Sequence, residues 1–140
     1  MTLPVIFGLA GPELTPDEQA FFRDVNPAGY ILFGRNIETP AQLRALTDAL
    51  RALRGDDQLP ILIDQEGGRV ARLGVPHWQD WPAAAVLARG ATLSAEVAES
   101  QAAERVRLNY EALGLELAAM GVTVTCAPVL DVPQADAHDI

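Results

Sequence analysis

The chain has 140 residues, 49% of them hydrophobic and 21% charged, which excludes disorder throughout and fits one domain with an ordinary core. Its net charge is −9 and its basic residues are all arginine, with no basic run, so nucleic acid and anionic membrane surfaces are poor partners. The lone cysteine, Cys126, excludes a disulfide framework, no signal peptide or membrane-length apolar run stands out, and a reducing, cytoplasmic setting is expected.

Leu3 to Leu9 is an apolar run ended by Gly11-Pro12, and it predicts a buried strand. Thr15-Pro16-Asp17-Glu18 then carries a helix start: an N-cap, a proline in the first turn and two acids near the positive end of the dipole. That helix should run to about Val25 and stop before Asn26-Pro27. Gly29 to Phe33 predicts a second strand, with Gly34-Arg35-Asn36 as the loop after it. Thr39-Pro40 opens a second helix with Leu43, Leu46, Leu50 and Leu53 at helical spacing, and Gly55 closes it.

Pro60 to Ile63 predicts a third strand running into Asp64. A loop follows through Gly74, Pro76, Trp78, Trp81 and Pro82. Ser94 is a candidate N-cap with Glu96 in the first turn, although Val97 holds the position a full capping box needs for Glu or Gln. The helix should reach about Met120, broken or bent near Gly114, and end at Gly121. Val122 to Ala127 is the fourth strand, and Pro128 to Val132 leads out of it.

The predicted order is β-α-β-α-β-α-β, with strands apolar enough to be parallel and covered on both faces. Such an order describes half of a (β/α)₈ barrel or a small open α/β sheet. A complete barrel needs roughly 250 residues, so about half of one is expected here.

Asp64 stands where the third strand ends, on the face that carries function in parallel α/β folds. Two acids, two glycines and two arginines fall between Asp64 and Arg72. A carboxylate accepts hydrogen bonds from sugar hydroxyls and an arginine donates them; a strand-end turn with a local ion pair explains the same residues. Gly34-Arg35-Asn36 reads as a turn in which Asn36 tolerates unusual dihedrals. Asp131 follows the fourth strand, so Asp64 and Asp131 could form an acid/base pair for glycoside hydrolysis, or Asp131 could orient or cap. Asp136, His138 and Asp139 lack a second ligand at helical spacing and read as a solvated loop, not a metal site. His77, between Pro76 and Trp78, could line a sugar site; packing of its loop is the preferred reading.

GYILFGRN after the second strand, IDQEGGRVAR after the third and CAPVLDV at the fourth resemble glycoside hydrolase family 3 in this order and spacing. The match is best to its single-domain bacterial β-N-acetylglucosaminidases (β-hexosaminidases) of peptidoglycan recycling. The resemblance covers nearly the whole chain. It implies a cytoplasmic (β/α)₈ barrel that removes non-reducing N-acetylglucosamine from muropeptides by a retaining mechanism, with no metal or organic cofactor. It makes Asp64 a ligand for sugar hydroxyls and Arg72 a second substrate-binding residue, in place of an Asp64–Asp131 acid/base pair. Asp131 falls on the family's LDV and gains no direct catalytic role.

The family's KHFPGHG-like segment with its acid/base histidine, and its nucleophilic aspartate, belong after the fifth and seventh strands. Residues 1–140 are therefore expected to be a partial N-terminal barrel domain with part of the sugar-binding wall and no catalytic residue. A related family 3 β-glucosidase is one alternative. Another is a non-catalytic sugar-binding or regulatory module whose unpaired sheet edges drive self-association. A small α/β fold for some other ligand is a third.

Overall fold

The computed structural model describes residues 1–88 and 95–129. The cap at Ser94 and the candidates Asp131, Asp136, His138 and Asp139 lie outside the described residues, as do the side chains of Glu96 and Val97. Four strands, β1 (Leu3–Gly8), β2 (Pro27–Leu32), β3 (Ile61–Ile63) and β4 (Val124–Thr125), alternate with α1 (Pro16–Val25), α2 (Pro40–Arg54), α3 (Ala84–Ala88) and α4 (Ala95–Ala119). A 3₁₀ turn over Gly34–Asn36 follows β2. The strands form one parallel sheet in the order β1-β2-β3-β4. Every strand pairs with the next in sequence. A barrel requires that order, whereas a doubly wound sheet reverses it at a switch point.

Local chemistry sets the helix ends. Thr15 caps α1 in a full capping box: its hydroxyl accepts from the Glu18 amide, and the Glu18 carboxylate reaches back to the Thr15 amide. Asn26 ends α1 in the left-handed conformation (φ 49°). Thr39 caps α2 and Gly55 closes it with φ 67°. The carbonyls just past the end of α4 are satisfied from α2: Thr47 Oγ1 donates to Met120 O at 2.9 Å and an Arg51 Nη to Gly121 O at 2.6 Å. Gly121 lies at φ 79°, and a β-carbon there would strike Thr47.

The register sorts the strand residues into two rows. Tyr30 pairs with Ile61, and Leu32 with Ile63; all four are buried with Leu43, Leu46 and Leu50 of α2, Phe22 of α1, and Leu113 and Leu117 of α4. Each such side chain contributes about 1.5–3 kcal/mol on burial. The intervening residues Ile31, Leu62 and Val124 are also register partners, and they share the opposite face. That face is not fully covered: Ile31 and Leu62 are half-buried and Val124 is 40% exposed.

Several expectations change accordingly. Only β2 and β3 carry buried residues, mainly on one face. β1 is largely exposed, with Leu3, Val5 and Ile6 each at 39%, because it is the sheet's edge and one helix covers one of its sides. β2 begins two residues early at Pro27, and β4 shrinks to two residues. The long loop contains the short α3, so the described residues form four α-helices where three were expected. α4 continues through Gly114 without a break, with Leu113 and Leu117 buried on either side of it. Their packing outweighs the glycine's cost of about 1 kcal/mol.

Candidate functional site

The site is built on the segment from Asp64 to Leu73. Strand alternation carries past Ile63, so Asp64 takes the partly open face of Leu62 and Gln65 the buried face of Ile61 and Ile63. The chain then reverses. Glu66 N–H donates to Val70 O at 2.8 Å, and Gly67 and Val70 form an antiparallel bridge. Both glycines have positive φ, 89° at Gly67 and 61° at Gly68. A β-carbon on Gly67 would meet the Pro82 carbonyl, and one on Gly68 would stand 2.8 Å from the Ala83 β-carbon. Only glycine lets the turn seat against the following loop.

The reversal returns Arg72 to Asp64. Its Nη2 stands 3.1 Å from Asp64 Oδ2, with the side chains 30% and 27% exposed. The pair is neither lost in solvent nor sealed off. The Arg72 Nε is buried and has no hydrogen-bond partner among the described residues. Cys126, exposed just after β4, lies beside the same carboxylate. Partial desolvation, the neighbouring Asp64 and the charge of Glu66 push its thiol above the ordinary range.

Gln65 was not foreseen as a site residue. It has no exposed surface. Its Oε1 accepts from the Arg72 amide at 2.7 Å and the Leu73 amide at 2.9 Å, and its Nε2 donates to Leu73 O at 2.9 Å. The signal was present, since the alternation puts a glutamine where an apolar residue belongs. α4 also supports the segment. Tyr110 OH donates to Glu66 O at 3.2 Å. Glu116 accepts from Trp81 Nε1 at 2.7 Å and from the Gln79 amide at 3.1 Å, while Trp81 O accepts from Gly68 N–H at 2.7 Å.

The other candidates separate from this cluster. Asn36 is fully buried, but its role is hydrogen bonding rather than unusual dihedrals. Its Oδ1 accepts from Phe33 N–H at 2.8 Å, and its Nδ2 donates to Gly11 O at 2.8 Å. Arg35 donates to Leu9 O at 2.7 Å and lies over the Phe33 ring, so both residues tie the ends of β1 and β2 together. His77 is exposed and meets Trp78 edge-on at 5.7 Å, while Trp78 and Trp81 pack partly buried against the core. Asp131 cannot be placed against Asp64, because it lies outside the described residues. Among the described residues no group of three His, Cys, Asp or Glu side chains could hold a metal ion, and no helix is long and apolar enough to cross a membrane. An open cleft of about 310 Å³ between α1 and α2, lined by Pro12, Leu14, Gln42 and Leu46 among others, shares no residue with the Asp64 segment.

Comparison with known proteins places this arrangement among sugar hydrolases. The sequence profile described as the glycosyl hydrolase family 3 N-terminal domain matches residues 7–140. A protein named beta-hexosaminidase from Alkalilimnicola ehrlichii is 40% identical over 131 residues, covering 91% of this chain and 35% of its own length. NagZ from Neisseria gonorrhoeae, solved in complex with N-trifluoroacetyl-D-glucosamine, superposes with a TM-score of 0.80 at 33% identity, over 92% of this chain and 37% of that one. A glycoside hydrolase family 3 beta-N-acetylglucosaminidase from Paenibacillus gives a TM-score of 0.77 at 30% identity, over 91% and 23%. The chain thus spans about a third of the length of the curated relatives it matches most fully.

Proposed function

Because the chain belongs to glycosyl hydrolase family 3, its sheet being the four-stranded first half of that family's barrel, we propose that it supplies part of the sugar-binding wall of a β-N-acetylhexosaminidase. The observation that carries this reading is the Asp64–Arg72 pair, one-third exposed at the C-terminal end of β3. Asp64 accepts hydrogen bonds from two sugar hydroxyls, and Arg72 donates to a hydroxyl oxygen beside the carboxylate it pairs with. The names of the relatives, and the glucosamine derivative bound to one of them, support an N-acetylglucosamine ring as the occupant.

In this reading the protein of the relatives' full length releases terminal non-reducing N-acetyl-β-D-glucosamine with retention. The substrates are muropeptides in the cytoplasm. The nucleophilic aspartate and the acid/base histidine come from segments with no counterpart among these 140 residues.

Titration of the chain with N-acetylglucosamine, followed by amide resonances, tests the binding role. Signals from residues 64–73 should shift. Asp64→Ala and Arg72→Ala should each weaken binding about 10–100-fold, the loss of a charge-assisted hydrogen bond worth roughly 1.5–3 kcal/mol. Resonances that stay in place at saturating sugar would remove the reading. A chromogenic N-acetyl-β-glucosaminide tests the second half: turnover by the 140-residue chain itself would mean that a catalytic group lies within it.

A further inference from the structure

We propose that Gln65 is a positioning residue that sets Arg72 against Asp64, and so fixes the geometry in which a sugar hydroxyl is bound. The inference rests on the sugar-binding reading above, but its geometric half stands apart from it. Asp64 and Arg72 form the two ends of a reversal whose turn is held by the Glu66–Val70 bond across it, by Gly68 on Trp81 and by Glu66 on Tyr110. Between the ends themselves the described bonds are the Arg72–Asp64 pair and the three made by the Gln65 carboxamide. One of those three goes to the backbone amide of Arg72 itself, at 2.7 Å.

The carboxamide is suited to this task. Its oxygen takes two adjacent amides and its nitrogen returns a bond to the carbonyl of the second. Three backbone groups on one arm of the loop are thereby clamped to the residue that follows Asp64. The far side is anchored too, because Thr125 Oγ1 donates to Gln65 O at 3.2 Å and so ties the clamp to β4. An apolar residue of equal volume would fill the space and leave those groups unbonded. Arg72 would then lose its fixed height, and a donor displaced by about 1 Å is a poor partner for a hydroxyl fixed elsewhere.

The test uses the whole chain and three variants. Gln65→Met keeps length and volume and removes both polar ends. Gln65→Glu keeps the oxygen that takes the two amides. Gln65→Asn withdraws the carboxamide by one methylene and serves should Gln65→Met fail to fold. The first readout is the Arg72 side chain by nitrogen NMR, where separate Nη resonances mark a guanidinium held from rotating. They should be present in wild type and Gln65→Glu and merged in Gln65→Met or Gln65→Asn. The second readout is the Kd for N-acetylglucosamine, expected to rise about tenfold in the variants that free Arg72 and to stay near wild type in Gln65→Glu.

A held Arg72 in Gln65→Met or Gln65→Asn overturns the inference, and so does an unchanged Kd with Arg72 freed. If wild type binds no sugar, the functional reading fails, and the Arg72 resonances still decide whether Gln65 positions it.

Discussion

A thiol beside a carboxylate is slow to ionise, and Cys126 occupies such a position. Partial desolvation comes first among the causes, with the neighbouring Asp64 and the charge of Glu66 behind it. At neutral pH its thiolate is therefore scarcer than that of an ordinary cysteine. Asp64→Asn removes one of the charges. It should speed iodoacetamide alkylation and move the reactivity midpoint to lower pH, without removing the contribution of desolvation; an unaltered rate profile would uncouple the two residues. Glu18 is shifted the opposite way. Burial raises it, but hydrogen bonds from the Ala10 amide and from the amide and hydroxyl of Thr15 outweigh that and hold it below its ordinary 4.5. A carboxylate lowered on folding adds stability above its unfolded value and loses it as pH falls through the folded one. Glu18→Gln should therefore flatten the decline of Tm below about pH 4.5, the reference value of this carboxyl. At this scale Asp64 was legible, because a polar residue closing an apolar strand stands out. Gln65 was legible only by carrying the alternation one residue past the strand's last apolar side chain.

Elements were legible where their ends are made of local chemistry. Thr15, Thr39 and Gly55 mark α1 and α2 correctly because a cap needs only its own turn. α3 escaped notice because it spans five residues and buries none of them. In α4 the partly buried stripe includes Arg105, Asn109, Tyr110 and Glu116 beside Leu113 and Leu117, so no clean apolar face appears in the sequence. Three of those side chains are spent on the loop, with Arg105 Nε on Leu87 O at 3.1 Å, Tyr110 on Glu66 and Glu116 on Trp81. The turn beneath them tolerates no β-carbon at its two glycines. Gly67→Ala and Gly68→Ala each force a β-carbon into positive φ against a neighbour, and each should cost about 1–3 kcal/mol. Urea denaturation measures that cost. Gly114→Ala meets nothing within 4 Å in a helix interior, so it should stabilise by up to about 1 kcal/mol.

Over the whole molecule, the order of parallel strands was legible and the difference between the two faces of the sheet was not. Ile61 and Leu62 are equally apolar letters, yet the first has no exposed surface and the second is half-buried. Composition cannot state which row the helices cover; the register does. Ile61→Ala, in the covered row, should cost about 2–5 kcal/mol. Val124→Ala, in the open row, should stay within about 1 kcal/mol. Equilibrium unfolding of the two variants checks the asymmetry, and equal costs would mean that something covers the second face in solution.

The anchoring of the site loop from α4 bears on how family members can be recombined. A graft of residues 64–88 from a relative would bring its own carboxylate and guanidinium but leave behind the phenol at 110 and the carboxylate at 116 on which this loop is moored. Loop and helix therefore form one exchangeable cassette. Positions 81 and 116 should co-vary between relatives although 35 residues separate them, whereas the phenol at 110 reaches a backbone carbonyl that any residue at 66 supplies.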